Sequence, residues 1–281
     1  MSYNISSDKF QHPLLKPILE RLTEYFSSEG IHFYVIGATA RDIIMQIHDK
    51  KSGRATNDLD IAIAIADWDE FKKVEEGIVN IEGFEKDPSQ KQRFIYLNDF
   101  QLDIVPFGEV MKEDDKIFWP PEEDIAMSIL GFSEVSEDAK TVIVDDEVEI
   151  RVASLEGVFI LKIVAWLDRN IKGNKDADDM AFIINNYLNI NEQRAIEDHF
   201  DLYEVEDFDI QVAGSRLLGR DISTLLSDYD STKNKIVEIL KSEVIKEDES
   251  RLINQILDTH KSFKYDNIYE CLNNILKGLV D

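Results

Sequence analysis

A chain of 281 residues, 43% hydrophobic and 31% charged, has material for one large or two ordinary globular domains, and it contains no apolar run as long as a membrane span. Its 57 acidic against 31 basic residues give a net charge of −26. This charge disfavours non-specific binding to nucleic acid, because contacts to phosphate supply most of that affinity. It leaves room for a nucleotide held by a local basic cluster and a metal, for a structured RNA end, or for a basic protein partner. The N-terminal stretch lacks the basic and apolar regions of a secretory signal, and a single cysteine, Cys271, forms no intrachain disulfide, so a reducing, cytoplasmic setting is expected.

Leu14, Leu15, Ile18, Leu19, Leu22, Tyr25 and Phe26 form one apolar stripe over residues 13–29, which predicts an amphipathic helix. Tyr34-Val35-Ile36 is a short apolar run that stops at Gly37, and Ile43, Ile44 and Ile47 at helical spacing predict a helix from Thr39 onward. After a polar loop, Asp58-Leu59-Asp60-Ile61-Ala62-Ile63 reads as a strand. Side chains two apart on a strand share a face, so Asp58 and Asp60 point the same way while Leu59 and Ile61 point into a core. Two neighbouring carboxylates repel unless a cation neutralises them. Their oxygens suit Mg²⁺, or Mn²⁺ in its place, since Mg²⁺ takes one or two carboxylates and completes its shell with phosphate and water.

Trp68, Phe71 and Val74 mark a helix from about Asp67 to Gly77, and a short strand is expected within residues 81–86. Residues 93–97 and 101–105 flank Asn98-Asp99-Phe100 as a β-hairpin. In its second strand Asp103 lies on the face opposite Leu102 and Ile104. Periodicity alone fits a solvated aspartate there as well as a functional one. Residues 108–126, with Pro120-Pro121, read as a loop or excursion. Its acidic runs at 112–115 and 122–124 read as solvated faces, and Trp119 as buried. A second hairpin is expected over residues 141–144 and 148–152 around Asp145-Asp146-Glu147. Strand signals stop near Ala153, where Ser154 can cap a long helix, and the pattern is helical from there to the end. The expected fold is α+β: a mixed sheet with helices over residues 1–153, then an all-helical domain over 154–281, with a nucleotide between them.

The stretch Gly37-Ala38-Thr39-Ala40-Arg41-Asp42, followed by Thr56-Asn57-Asp58-Leu59-Asp60, resembles the signature of the polymerase-β-type nucleotidyltransferases, in which a Gly-Gly or Gly-Ser turn precedes a helix and a D-x-D strand follows. The Arg41-Asp42 pair is similar to the tRNA nucleotidyltransferase version. Ala38 departs from the pattern; it offers no hydroxyl and disfavours positive φ. In the helical half, Lys162 and Arg169 fall on neighbouring turns of one helix, followed by Lys175-Asp176 and Asp179. As an isolated pair they read as ordinary ion-pair partners of Asp176 or Asp179. The order K-x-x-A-x-x-x-R and then K-D-x-x-D, however, resembles the AbiEii-type nucleotidyltransferases, which include toxins of type IV toxin–antitoxin systems. Ala213 to Asp221, which reads A-x-x-x-L-L-G-R-D, is similar to a segment of related predicted bacterial nucleotidyltransferases.

The resemblance implies transfer of NMP from an NTP to an acceptor hydroxyl with release of pyrophosphate. It implies Asp58, Asp60 and Asp103 as catalytic and metal-binding residues for Mg²⁺ or Mn²⁺. Gly37, Ala38, Thr39, Arg41, Lys162 and Arg169 would bind the nucleotide, Arg169 gripping two phosphate oxygens at once. The acceptor could be tRNA, a protein side chain or a small molecule, and an antitoxin partner is conceivable. Two other readings are a non-catalytic nucleotide-binding module of the same fold and a metal-dependent phosphohydrolase. Phosphohydrolases usually add histidine ligands, and the five histidines here are scattered away from the three aspartates.

Overall fold

The computed structural model describes residues 2–54, 56–112, 115–123 and 126–281. Glu113, Asp114, Asp124 and Ile125, part of the expected 108–126 excursion and its acidic runs, lie outside the described residues. The chain forms two compact units, Met1–Ser154 and Leu155–Asp281.

The first unit runs β1 (Ser2–Ile5), α1 (Leu15–Glu29), β2 (Phe33–Ile36), α2 (Gly37–Ile47), β3 (Asp58–Ile65), α3 (Trp68–Asn80), β4 (Phe84–Lys86), β5 (Arg93–Tyr96) and β6 (Phe100–Gly108). It continues with β7 (Lys116–Phe118), β8 (Ala126–Ser128), α4 (Phe132–Asp138), β9 (Lys140–Val144) and β10 (Val148–Val152). Eight strands make one mixed sheet in the order β1-β9-β10-β2-β3-β6-β5-β4, and β7 pairs with β8 apart from it. β3 is central and runs parallel to β6 and antiparallel to β2. Its apolar residues Leu59, Ile61 and Ile63 are fully buried, as the alternation requires, and Ala62 on the opposite face is buried as well. α2 is buried along almost its whole length, from Gly37 to Gln46.

Both hairpins form, but the first turns one residue earlier than its sequence suggests. Leu97 and Asn98 take left-handed φ values of 51° and 57°, so Tyr96 pairs with Phe100, and Arg93 pairs with Asp103. A turn on Asn98–Phe100 would have set Arg93 opposite Val105. In the second hairpin Asp145 and Asp146 adopt φ of 51° and 60°, the two left-handed residues that a tight antiparallel turn needs. The 108–126 excursion is not all loop, since β7 lies within it. Trp119 is buried against Trp68 and Phe71, with ring centroids at 5.2 and 5.4 Å.

The second unit is helical: α5 (Leu155–Arg169), α6 (Lys175–Ile190), α7 (Glu192–Asp198), α8 (Ile210–Leu225), α9 (Asp230–Ile245), α10 (Arg251–Thr259) and α11 (Tyr265–Gly278). Asp209 caps α8 by accepting from the backbone N–H groups of Gln211 and Val212, and Ser250 caps α10 by accepting from Ile253. The Ala213–Asp221 stretch is explained by packing. A Cβ on Gly219 would collide with the Ile275 carbonyl and Gly278, so α8 and α11 cross backbone to backbone there. Arg220 is held by Asp201 and Asp281, and Asp221 accepts from the buried Tyr187 hydroxyl at 2.6 Å and from Arg194. Among the described residues no helix is long and apolar enough to cross a membrane.

Candidate active site

The D-x-D strand behaves as its spacing requires. Asp58 and Asp60 are partly exposed while Leu59 and Ile61 between and beyond them are buried. The parallel register of β3 and β6 sets Asp60 beside Asp103, and the antiparallel register of β5 sets Arg93 on the far side of Asp103. Residues paired across strands share a face. Asp60, Asp103 and Arg93 therefore form one cross-strand row, with Asp58 two residues along β3.

On the other flank of β3, Ile36 pairs with Asp60, so the turn into α2 starts next to that carboxylate. Gly37 takes φ +69°, and a Cβ there would collide with Asp60 Oδ2. Only glycine satisfies both conditions without strain. Ala38 is not among the described residues with positive φ and is 4% exposed, so an alanine fits this position without strain. The first turn of α2 has no side-chain cap, because Ile36 occupies the cap position. Its first N–H groups, which have no carbonyl partner within the helix, and the positive end of the helix dipole suit an anion.

Two threonines fix Asp58. The Thr39 hydroxyl donates to the Asp58 carbonyl at 2.9 Å, and the Thr56 hydroxyl donates to Asp58 Oδ1. Arg41, expected among the nucleotide-binding residues, is buried in α2. It is 1% exposed, and its guanidinium bonds to Asp42 at 2.7–2.8 Å and reaches the Arg54 carbonyl at 3.5 Å. Asp42 in turn accepts from the Gly53 N–H and the Gln11 side chain. In this structure the Arg41-Asp42 pair ties α2 to the loop that leads into β3.

Arg93 is the residue that sequence reasoning missed. Its Nε and one terminal nitrogen each donate to a different oxygen of Asp103 at 2.8 Å, and the two side chains are 24% and 12% exposed. The bond to Asp103 raises the Arg93 guanidinium above its usual range; burial opposes this, and the charges of Asp103, Asp58 and Asp60 add to it. Arg93 is thus the cation of an acidic cluster.

Asp58 and Asp60 fit a Mg²⁺ or Mn²⁺ site, since they are paired oxygen donors on one face beside an uncapped helix start. Among the described residues, no three His, Cys, Asp or Glu side chains converge as a complete metal-binding group. Both oxygens of Asp103 are instead engaged by Arg93.

Lys162 and Arg169 lie in α5 and are paired with α6. Lys162 is 2.7 Å from Asp179, and Arg169 grips both oxygens of Asp176 at 2.7 Å. Asp179 and Asp176 are buried. Burial alone would raise the Asp176 carboxyl, but Arg169 and Lys162 outweigh it and hold it below the usual carboxylate range.

Residues 18–270 match the family described as nucleotidyl transferase AbiEii toxin, type IV TA system. No curated protein sequence matches the chain. Among solved structures, an antigenic nucleotidyltransferase-like protein from Paracoccidioides brasiliensis is similar at 16% identity and TM-score 0.41, over 71% of this chain and 92% of that one. ANT(2")-Ia in complex with adenylyl-2"-tobramycin is similar at 9% identity and TM-score 0.35, over 76% and 97%. A CCA-adding enzyme in complex with ATP is similar at 12% identity and TM-score 0.33, over 94% and 67%.

Proposed function

Because the chain belongs to the family of AbiEii nucleotidyl transferase toxins of type IV toxin–antitoxin systems, we propose that it transfers NMP from an NTP to an acceptor hydroxyl with release of pyrophosphate. The reading makes the first unit the catalytic domain and the second a helical accessory domain. The observation that carries it is the β3–β6 register, which aligns Asp60 with Asp103 beside Asp58 and next to the start of α2.

Asp58 and Asp60 would hold Mg²⁺ or Mn²⁺, joined by Asp103. When bound, the metal supplies the positive charge that stabilises attacking and leaving oxygens. The chain's own work is positional. Thr39 and Thr56 fix the backbone and side chain of Asp58. Gly37 keeps the space for the Asp60 carboxylate, and the first turn of α2 offers N–H groups to phosphate oxygens. Asp103 receives the proton of the acceptor hydroxyl. Arg41 acts by holding the loop before β3. Phosphate binding by Lys162 and Arg169 is part of the proposal, and each must exchange Asp179 or Asp176 for a phosphate oxygen. The acceptor class, the preferred base and the antitoxin partner belong to the same proposal.

Each NTP labelled at its α-phosphate, incubated with Mg²⁺ and separated RNA, protein and small-molecule fractions, tests it. Label should enter one fraction, with pyrophosphate released. Asp58→Asn or Asp60→Asn should abolish transfer while circular dichroism stays unchanged, since removing one of two repelling carboxylates does not cost the fold. Absence of transfer with every NTP and with either metal, or undiminished transfer by the double Asn variant, would sink the reading.

A further inference from the structure

Strand register brings one arginine into the acidic row. Arg93 sits opposite Asp103 on β5, and its planar guanidinium matches the carboxylate with two parallel bonds at 2.8 Å. Such bidentate pairs are among the stronger ionic contacts in proteins. The pair is mostly shielded, at 24% and 12% side-chain exposure, so it is less screened than a surface pair. Asp58 and Asp60 lie on the same sheet face.

We propose that Arg93 is a built-in cation that competes with the divalent metal for Asp103, so that this carboxylate passes to the metal only as Arg93 gives up at least one of its two bonds. The proposal rests on the nucleotidyltransferase reading, which makes Asp103 a metal ligand. A metal approaching Asp103 meets a fixed positive charge on the same carboxylate, and like charges at this separation repel. Arg93 thereby stabilises the metal-free cluster and sets a threshold for loading it. A merely orienting arginine does the opposite, because its removal loosens a ligand and weakens metal binding. The sign of the effect separates the two roles.

The test uses the full chain with Mn²⁺ alone as probe, without nucleotide, read by electron paramagnetic resonance or calorimetry. Arg93→Gln removes the charge and keeps a hydrogen-bonding side chain. Arg93→Lys keeps the charge but cannot hold both oxygens. Mn²⁺ should bind Arg93→Gln roughly fivefold or more tighter than the wild type, beyond what an exposed ion pair contributes. The lysine variant should fall between them. In metal-free buffer the Gln variant should melt lower, and Mn²⁺ should recover more of its Tm than it adds to the wild type. Equal or weaker Mn²⁺ binding by the Gln variant overturns the proposal. If that variant does not fold, equal or weaker binding by Arg93→Lys does so. Failure of the metal reading has its own signature: wild-type Mn²⁺ binding that is absent, or unchanged in the Asp58→Asn/Asp60→Asn variant, overturns both.

Discussion

Gly37 meets two separate demands at one position. Its φ of +69° costs an L-residue roughly 1–2 kcal/mol, and the Asp60 carboxylate occupies the space of its missing side chain. Gly37→Ala should therefore lower Tm by a few degrees and reduce transfer far more than stability, because the displaced group is a proposed metal ligand. Ala38→Ser, one residue on, should leave both intact. Thermal melts beside transfer rates check this, and equal loss of activity in both variants would sink the distinction. The glycine turn and the D-x-D were legible from sequence because each signal is local: an apolar run ending at glycine, and carboxylates two apart. Arg93 was not, because its partner depends on which residues make the 97–99 turn. A shift of one residue in that turn changes every pairing in the hairpin. The positive φ of Leu97 gave no warning, since leucine rarely adopts it.

At the scale of elements, the same contrast of local and distant signals holds. α1 and α5 carry long apolar patterns and stand where periodicity sets them. β1 does not announce itself, because Ser2–Ile5 is a mostly exposed edge strand whose parallel partner is β9, far along the chain. α4 and α7, at seven residues each, are too short for a helical period to stand out. The Lys162–Arg169 segment was legible as a charged helix face, and its partners Asp176 and Asp179 were among the alternatives. The structure gives that network a pH dependence. Arg169 and Lys162 hold the Asp176 carboxyl below its unfolded value of about 4, so the folded state binds this proton less readily than the unfolded chain does. Asp176 thus contributes stability above about pH 4 that is lost as pH falls through its folded value. Asp176→Asn should lower Tm at neutral pH and flatten the acid side of the Tm–pH profile. A variant profile running parallel to the wild type down to pH 2 would remove Asp176 from that role.

At the scale of the whole molecule, the net charge of −26 shapes how ligands arrive. A free triphosphate approaching an acidic protein is repelled, and the Asp58, Asp60 and Asp103 cluster adds to this locally. A divalent metal alone is attracted, but at Asp103 it meets Arg93. Each ligand supplies what the other lacks, since the metal brings positive charge and the triphosphate brings oxygens that complete the metal shell. Mg²⁺ and NTP together should therefore raise Tm by more than the sum of their separate shifts. Ligands at about 100 times their dissociation constants stabilise the state they bind by roughly 2.7 kcal/mol, or about 5–10 °C for a chain of this class. The Asp58→Asn/Asp60→Asn variant should lose the joint part of that shift and keep any non-specific salt effect, because it retains most of the acidic surface. Additive shifts in the wild type, or a joint shift that survives in the double variant, would place metal and nucleotide at separate sites and leave the D-x-D strand without its assigned work.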